Sequence, residues 1–229
     1  ARWVRHDDTM VPPVEFIPLA ESSDLIIEIE DRIVVQALTL AQRLRQQYPG
    51  QAKSSVSVNI SARHFSNPRL TQMLDQQLLR FDLPGNALTL ELTESILLNE
   101  SNVVQRQFEA LRELGVRIAL DDFGTGYSSL SYLDRYRFDL IKIDRSFVQD
   151  LSAKRVRKRL LEIMIAVGRA MEVDVVAEGI ETHEDEGFLR DMECRYGQGY
   201  LYAKPMPASQ IDVYLLEDMT AGHRISVND

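Results

Sequence analysis

Acidic side chains stand at the ends of several predicted strands, and two of them are adjacent. Asp121 and Asp122 directly follow the apolar residues 118–120, and Glu91 lies between apolar neighbours in the predicted strand 88–93. A buried carboxylate is costly unless a cation or strong hydrogen-bond donors meet it. Two carboxylates at one strand end also repel each other unless divalent cations intervene. The pattern therefore predicts a metal site.

The candidate ligands all offer oxygen, and they are Asn59, Glu91, Asp121 and Asp122. Oxygen donors suit Mg²⁺ or Mn²⁺, whereas the four histidines are scattered and the single cysteine lacks a partner, which argues against zinc. Two such ions can activate water and hold the oxygens of a phosphodiester, while a remaining carboxylate takes the proton of the water. Metal-assisted hydrolysis is the chemistry that this donor set favours.

An ion-pair network is the alternative interpretation of the same acidic residues. In it, Lys142 neutralises Asp144, and Arg or Lys side chains from neighbouring helices neutralise the other carboxylates. Acidic groups outnumber the single predicted interior lysine, which favours added cations. Asn59 and Gln198 also have a simpler interpretation as turn residues.

Six strand-helix units are predicted to position these side chains. The predicted strands are 55–60, 88–93, 116–121, 138–143, 173–177 and 196–201. The predicted helices that follow them are 67–81, 100–114, 128–133, 154–171, 182–192 and 208–216. A further long helix is predicted from Leu25 past Leu44, and the chain before it resembles the tail of an earlier strand.

Alternating strands and helices predict a parallel sheet with helices outside, either doubly wound or closed as a barrel. Function in a barrel gathers at the carboxyl ends of many strands, whereas a doubly wound sheet concentrates it at one switch point. Here polar side chains end all six predicted strands, and no dinucleotide fingerprint or P-loop occurs. The sequence therefore predicts an α/β barrel.

Charge and composition exclude several classes of function. The 35 acidic and 26 basic residues give a net charge of −9, without a basic stripe, so binding of a DNA or RNA duplex is not expected. No apolar stretch approaches the roughly 20 residues of a membrane span. The lone Cys194 indicates a reducing compartment, so we predict a cytoplasmic domain and leave open a membrane anchor upstream.

Seven segments of the chain resemble the signature motifs of EAL domains, in family order from Ala1 to about Pro207. The segments are FIPLAE at 16–21, VNISAR at 58–63, ELTE at 91–94, DDFGTGYSSL at 121–130, KIDRSF at 142–147, AEGIE at 177–181 and QGYL at 198–201. The resemblance implies a modified TIM (β/α)8 barrel that hydrolyses cyclic di-GMP to linear pGpG with two divalent ions, Mg²⁺ or Mn²⁺.

The resemblance also implies a role for each matching residue. Asn59, Glu91 and Asp121 would bind one metal, and Asp121 and Asp122 would help to bind the second. Lys142 would hold the attacking water and Glu178 would be the general base. The remaining implied site residues are Asp144, Glu181 and Gln198, which support the site, Glu94, which anchors the loop after Asp122, and Arg2, which reaches a substrate phosphate.

One departure from the family pattern concerns the start of the chain. Ala1-Arg2-Trp3 aligns with the end of the motif that names the family, so the metal-binding Glu and the first strand are expected upstream. We expect residues 1–218 to form an N-terminally incomplete EAL domain and residues 219–229 to form a tail or linker.

The leading hypothesis is a cyclic-guanylate-specific phosphodiesterase, and the alternative is an inactive EAL-like receptor that binds cyclic di-GMP and signals by conformation. The intact pair Asp121 and Asp122, with Lys142 and Glu178, favours the enzyme, because a receptor needs no activated water. The resemblance further implies a homodimer, associated with the loop after Asp122, and upstream sensory or GGDEF-type domains.

Overall fold

A computed structural model describes residues 3–7, 9–48, 55–97, 102–126, 131–149, 151 and 155–220. The chain divides into two compact units. Unit 1 comprises residues 1–43, 55–118 and 131–137, and unit 2 comprises residues 44–54, 119–130 and 138–229.

Eight strands occur in the described residues. They are β1 Trp3–Val4, β2 Met10–Val11, β3 Val56–Asn59, β4 Leu88–Thr93, β5 Arg117–Phe123, β6 Leu140–Ile143, β7 Asp174–Glu178 and β8 Tyr196–Gln198. The last six are hydrogen-bonded in chain order, β3-β4-β5-β6-β7-β8. Within this six-stranded sheet, β3 and β4 run parallel, as do β5 and β6, β6 and β7, and β7 and β8.

Helices follow the strands along the chain. They are α1 Pro13–Glu21, α2 Leu25–Gln47, α3 Ala62–Phe65, α4 Arg69–Phe81, α5 Glu94–Leu97, α6 Asn102–Glu113, α7 Ser131–Arg135, α8 Arg145–Val148, α9 Arg155–Ala170, α10 His183–Asp191 and α11 Ile211–Thr220. The predicted α/β class, with six parallel strands each followed by a helix, is confirmed.

The turn chemistry explains two of these helix boundaries. The Asn67 side chain accepts a hydrogen bond from the backbone of Arg69 at 3.0 Å, which caps the start of α4 as the Asn-Pro pair predicts. Gly115 adopts a φ of 73° just after α6, a conformation that glycine tolerates without strain.

Strand β4 shows how unit 1 forms its core. Leu88, Leu90 and Leu92 are fully buried, and Thr89 and Glu91 on the opposite face are buried as well. A strand that is buried on both faces is typical of a parallel sheet covered by helices. Glu91 is therefore a carboxylate inside the protein, as its apolar neighbours predict.

The beginning of the described chain differs from the prediction of a strand tail in the parallel sheet. Trp3 and Val4 pair antiparallel with Val11 and Met10. The cause is a local turn, in which the Asp7 carboxylate accepts hydrogen bonds from the backbone and hydroxyl of Thr9 at 3.1 and 2.6 Å. Six strands of the predicted eight-stranded barrel are thus present in the described residues.

No helix among the described residues combines the length and the apolar content needed to cross a membrane. The tail that we predicted from residue 219 begins inside α11, which ends at Thr220, and residues 221–229 lie outside the described part of the chain.

Candidate active site

The site in unit 2 begins with a bulge in β5. Leu120 pairs with Ile141 and Phe123 pairs with Ile143, so that Asp121 and Asp122 together face a single residue of β6. Successive side chains of a regular strand point to opposite faces, and a bulge removes this alternation.

The backbone of Asp122 completes the bulge with a φ of 54°, in the left-handed region. Asp and Asn occupy this region more readily than most residues. The bulge allows both neighbouring carboxylates to serve one site. We predicted that the strand ends at Asp121, and the apolar Phe123, which is buried, was the signal that it continues.

Lys142 is the residue of β6 that faces this bulge. Its ammonium nitrogen lies 2.9 Å from Oδ1 of Asp121 and 2.7 Å from Oε1 of Glu178. The side chains of Lys142, Asp121 and Glu178 are only 8, 12 and 18% exposed. The lysine therefore bridges two carboxylates that are mostly shielded from water.

Strand register brings Glu178 to the same place. Lys142 pairs with Val176 on β7, and Glu178 lies two residues further along, on the same face as Val176. Because the carboxyl ends of parallel strands meet at one edge of a sheet, the ends of β5, β6 and β7 assemble this cluster.

The three carboxylates form a group that can hold a metal ion. One oxygen from each of Asp121, Asp122 and Glu178 lies within 4.8 Å of the other two. Asp121 is buried, Glu178 is partly buried and Asp122 is exposed. The donors are oxygen atoms only, which fits a hard divalent cation such as Mg²⁺ or Mn²⁺.

Unit 1 holds another pair of candidate ligands. Asn59 ends β3 directly opposite Glu91 of β4, and the Ile60 backbone donates a hydrogen bond to the Glu91 carbonyl at 3.0 Å. Glu94 is the first residue of α5 and is buried, as Glu91 is. The structure therefore places Asn59 and Glu91 side by side in the register.

The other predicted site residues of unit 2 make different contacts. Asp144 caps α8 by accepting a hydrogen bond from the Ser146 backbone at 2.9 Å. The Glu181 carboxylate accepts one from the Gln149 side chain at 3.1 Å, and Gln198 pairs with Glu178 in the strand register. Lys142 itself forms ion pairs with Asp121 and Glu178.

Two predicted elements of the site lie outside the described residues. They are Arg2 and positions 127–130 of the loop that follows Asp122. The start of this loop is held by Thr125, whose backbone and hydroxyl donate to the Asp122 carbonyl at 3.2 and 2.9 Å.

Cys194 is part of neither candidate site. Its thiol lies at hydrogen-bond distance from the carbonyls of Val175 and Tyr196, and burial raises the pKa of the Cys194 thiol. A neutral, partly buried thiol is a poor nucleophile and a poor metal ligand.

Sequence analysis missed one buried polar cluster in unit 1. Glu30 of α2 contacts Ser61 and His64, which follow β3. These residues are more than 30 positions apart in sequence, so no local pattern joins them. The only signal was a glutamate at a core-facing position of the amphipathic helix α2.

Comparison with known proteins identifies the family of this chain. The model of the EAL domain family matches residues 1–205. The bifunctional diguanylate cyclase/cyclic di-GMP phosphodiesterase MucR of Pseudomonas aeruginosa is 36% identical over 211 residues, which are 92% of this chain and 30% of MucR. The cyclic di-GMP phosphodiesterase PdeR of Escherichia coli is 35% identical over 207 residues, 90% of this chain and 31% of PdeR.

A solved structure is similar as well. The structure of the MucR phosphodiesterase in complex with c-di-GMP is 36% identical with a TM-score of 0.83, over 92% of this chain and 84% of that one. The chain spans less than a third of the length of the two curated relatives. The match to the family model covers most of the chain and includes all seven motifs up to residue 201. This chain belongs to the EAL domain family.

Proposed function

We propose that this chain is the catalytic domain of a metal-dependent phosphodiesterase that hydrolyses cyclic di-GMP to linear pGpG. The observation that carries the proposal is Lys142, held between Asp121 and Glu178 at 2.9 and 2.7 Å. The names of MucR and PdeR, and the c-di-GMP in the similar MucR structure, support the choice of substrate.

Lys142 and Glu178 are suited to directing a water molecule. An ammonium group has three N–H donors, and two of them point to Asp121 and Glu178. We assign to Lys142 a hydrogen bond to the oxygen of the attacking water. Glu178 Oε1, which lies 2.7 Å from the same ammonium, then accepts a proton of that water as general base.

The product defines which bond breaks. Linear pGpG carries a terminal 5′-phosphate, so the water oxygen bonds to phosphorus while the bond from phosphorus to the ribose 3′-oxygen breaks. The 3′-oxygen takes a proton from solvent and leaves as the ribose 3′-hydroxyl, and Glu178 releases to solvent the proton that it took from the attacking water. Arg2, Asp144, Glu181, Gln198 and Glu94 keep their proposed supporting roles.

The carboxylates are proposed to hold Mg²⁺ or Mn²⁺. Asp121 and Asp122 in unit 2, and Asn59 and Glu91 in unit 1, are the proposed ligands. Bound divalent cations would neutralise the phosphate oxygens and favour the ionised form of water. The oxygen-only donor set fits either ion.

The receptor alternative is not favoured. A protein that only binds cyclic di-GMP has no need of a lysine and a glutamate in contact beside two aspartates, an arrangement that costs desolvation energy. In an enzyme the same pair has a chemical task.

Metal removal tests the proposal. We expect the protein to convert cyclic di-GMP to pGpG in the presence of Mg²⁺ or Mn²⁺, because the acidic cluster needs a cation to meet a phosphate. Excess EDTA should reduce the rate at least 100-fold, a loss in line with the usual contribution of metal catalysis, and added Mg²⁺ or Mn²⁺ should restore it. Chromatography of the nucleotides follows the reaction. Equal rates with and without EDTA would contradict metal dependence, and nucleotide binding without any cleavage would establish the receptor instead.

We also propose a homodimer, supported by an apolar stripe on α9. Val156, Leu160 and Ile163 lie on one side of this helix and are 73, 42 and 60% exposed. Sedimentation should give about twice the chain mass of 26.2 kDa, and Ile163→Lys should give the single-chain mass. A single-chain mass for the unaltered protein at micromolar concentration would contradict the dimer.

The remaining proposals concern the setting of the domain. We place the domain at residues 1–218 and a tail at 219–229, with sensory or GGDEF-type domains elsewhere in the protein. The greater length of the relatives, and the bifunctional name of MucR, support this organisation. The single cysteine supports a cytoplasmic location.

A further inference from the structure

The buried polar cluster of Glu30, Ser61 and His64 joins α2 to the segment that follows β3. Glu30 and His64 are only 6 and 1% exposed. Nδ1 of His64 lies 3.0 Å from Oε2 of Glu30. The second ring nitrogen, Nε2, lies 3.3 Å from Oδ1 of Asp31. The imidazole thus lies between two carboxylates of one helix, and Nδ1 donates a hydrogen bond to that of Glu30.

Glu30 also forms hydrogen bonds with Ser61, two residues after Asn59. Its Oε1 accepts a hydrogen bond from the Ser61 backbone at 3.0 Å, and its Oε2 accepts one from the Ser61 hydroxyl at 3.1 Å. The Ser61 hydroxyl in turn accepts from the His64 backbone at 3.2 Å and caps α3. One buried carboxylate therefore receives three donors from a single four-residue segment.

Asn59 is the last residue of β3 and lies two residues before Ser61, the residue that Glu30 contacts. Ile60 is hydrogen-bonded to the Glu91 carbonyl, and Ser61, the next residue, is hydrogen-bonded to Glu30. The chain that leaves Asn59 is consequently fixed on one side to β4 and on the other to α2. A shift of Ser61 would therefore move the backbone that carries Asn59, which pairs with Glu91 in the strand register.

Folding alone does not account for this cluster. Well-packed apolar residues are often as stabilising as buried polar groups, and Ser61 can cap α3 without Glu30. A fully hydrogen-bonded buried network fixes one geometry, and hydrogen-bonded partners behind metal ligands commonly do so.

We propose that Glu30 and His64 are positioning residues for Asn59, which hold its side chain in the orientation that binds a divalent ion. The inference rests on the proposed function in one respect, namely that Asn59 is a metal ligand. Glu30 and His64 do not themselves touch the ion or the substrate.

The test is Mn²⁺ affinity, measured by isothermal titration calorimetry without nucleotide. Glu30→Gln keeps the volume of the side chain but loses one acceptor oxygen. We expect it to raise the Kd for Mn²⁺ about tenfold, the smallest loss of affinity that is typical when a residue supporting a metal ligand is replaced. His64→Leu should raise the Kd for Mn²⁺ to a similar extent. His64→Gln, which keeps a donor for Glu30, should stay within about threefold of the unaltered protein.

Gln42→Met is the matched control on the same helix. It removes a hydrogen bond from the Gln42 side chain to the Phe81 carbonyl at the end of α4, far in sequence from Asn59. It should lower the melting temperature without changing the Kd for Mn²⁺. In Glu30→Gln, saturating Mn²⁺ should restore kcat for cyclic di-GMP to within about twofold, because Lys142 and Glu178 are untouched.

The outcomes separate this inference from the proposed function. An unchanged Kd in Glu30→Gln, with a loss of stability like that of the control, would overturn the positioning role. If the unaltered protein binds Mn²⁺ but does not cleave cyclic di-GMP, the proposed function fails, while a weakened Kd in Glu30→Gln still supports the inference. If the unaltered protein binds no Mn²⁺, Asn59 is not a ligand and the inference fails too.

Discussion

Replacing Glu178 with Gln is expected to lower kcat for cyclic di-GMP hydrolysis by about 10³-fold, within the range typical of a lost general base. The amide keeps the shape of the side chain and an oxygen that can face Lys142 Nζ, which lies 2.7 Å away in the unaltered protein. It cannot accept the proton of a water molecule. Nucleotide binding should therefore persist, with a Kd within about threefold, and fluorescence titration measures it alongside the rate.

Glu186→Gln is the control for this substitution. Glu186 is a partly buried carboxylate of the same unit, 26% exposed and 3.3 Å from Arg190, and it takes no part in the proposed chemistry. Its rate should match that of the unaltered protein. If Glu178→Gln retained a tenth or more of the activity, Glu178 would not be the general base.

Replacing Lys142 with Met is expected to lower the rate of hydrolysis and, in the absence of metal, the free energy of unfolding. Removing one partner of a buried ion pair leaves an uncompensated charge, which typically costs about 3–5 kcal/mol. Here two carboxylates, those of Asp121 and Glu178, lose the same cation. Urea denaturation in EDTA should show this loss, and hydrolysis should fall at least 100-fold because the water loses its donor.

Divalent cations should restore part of the stability that Lys142→Met loses, but they should not restore its rate of hydrolysis. A cation that binds the folded state stabilises it by mass action, so Mg²⁺ should raise the urea midpoint more in Lys142→Met than in the unaltered protein. Lys158→Met is the control, since its ammonium lies over the Phe188 ring and the loss should be about 1 kcal/mol or less. A Lys142→Met protein with unaltered stability in EDTA would show that the ion pairs contribute little.

The strands were predictable because their signals are local. The predicted strand 88–93 agrees with β4 at both ends, and every end of the other five parallel strands lies within three residues of the prediction. Alternation and apolar runs depend only on neighbouring residues. The antiparallel pair of Trp3–Val4 was not predicted, because it depends on one Asp7 carboxylate that bonds to Thr9.

The sequence motifs single out candidate site residues but do not show which of them pair. The motifs identified Lys142, Asp121 and Glu178, yet Lys142 could equally have served Asp144, its neighbour two positions away. Only strand register places Glu178 against Lys142, and only the bulge at Asp121 and Asp122 brings two successive carboxylates together. The Glu30–His64 cluster escaped prediction for the same reason, since tertiary packing creates it.

Hydrolysis of cyclic di-GMP in H₂¹⁸O, with the product analysed by mass spectrometry after a single turnover, tests most directly whether this EAL domain directs a water molecule onto a phosphodiester. We predict pGpG with one ¹⁸O atom in its terminal phosphate, and no labelled product from Glu178→Gln in the same time. Unlabelled pGpG, or tight binding of cyclic di-GMP with no product in Mg²⁺ or Mn²⁺, would contradict the account.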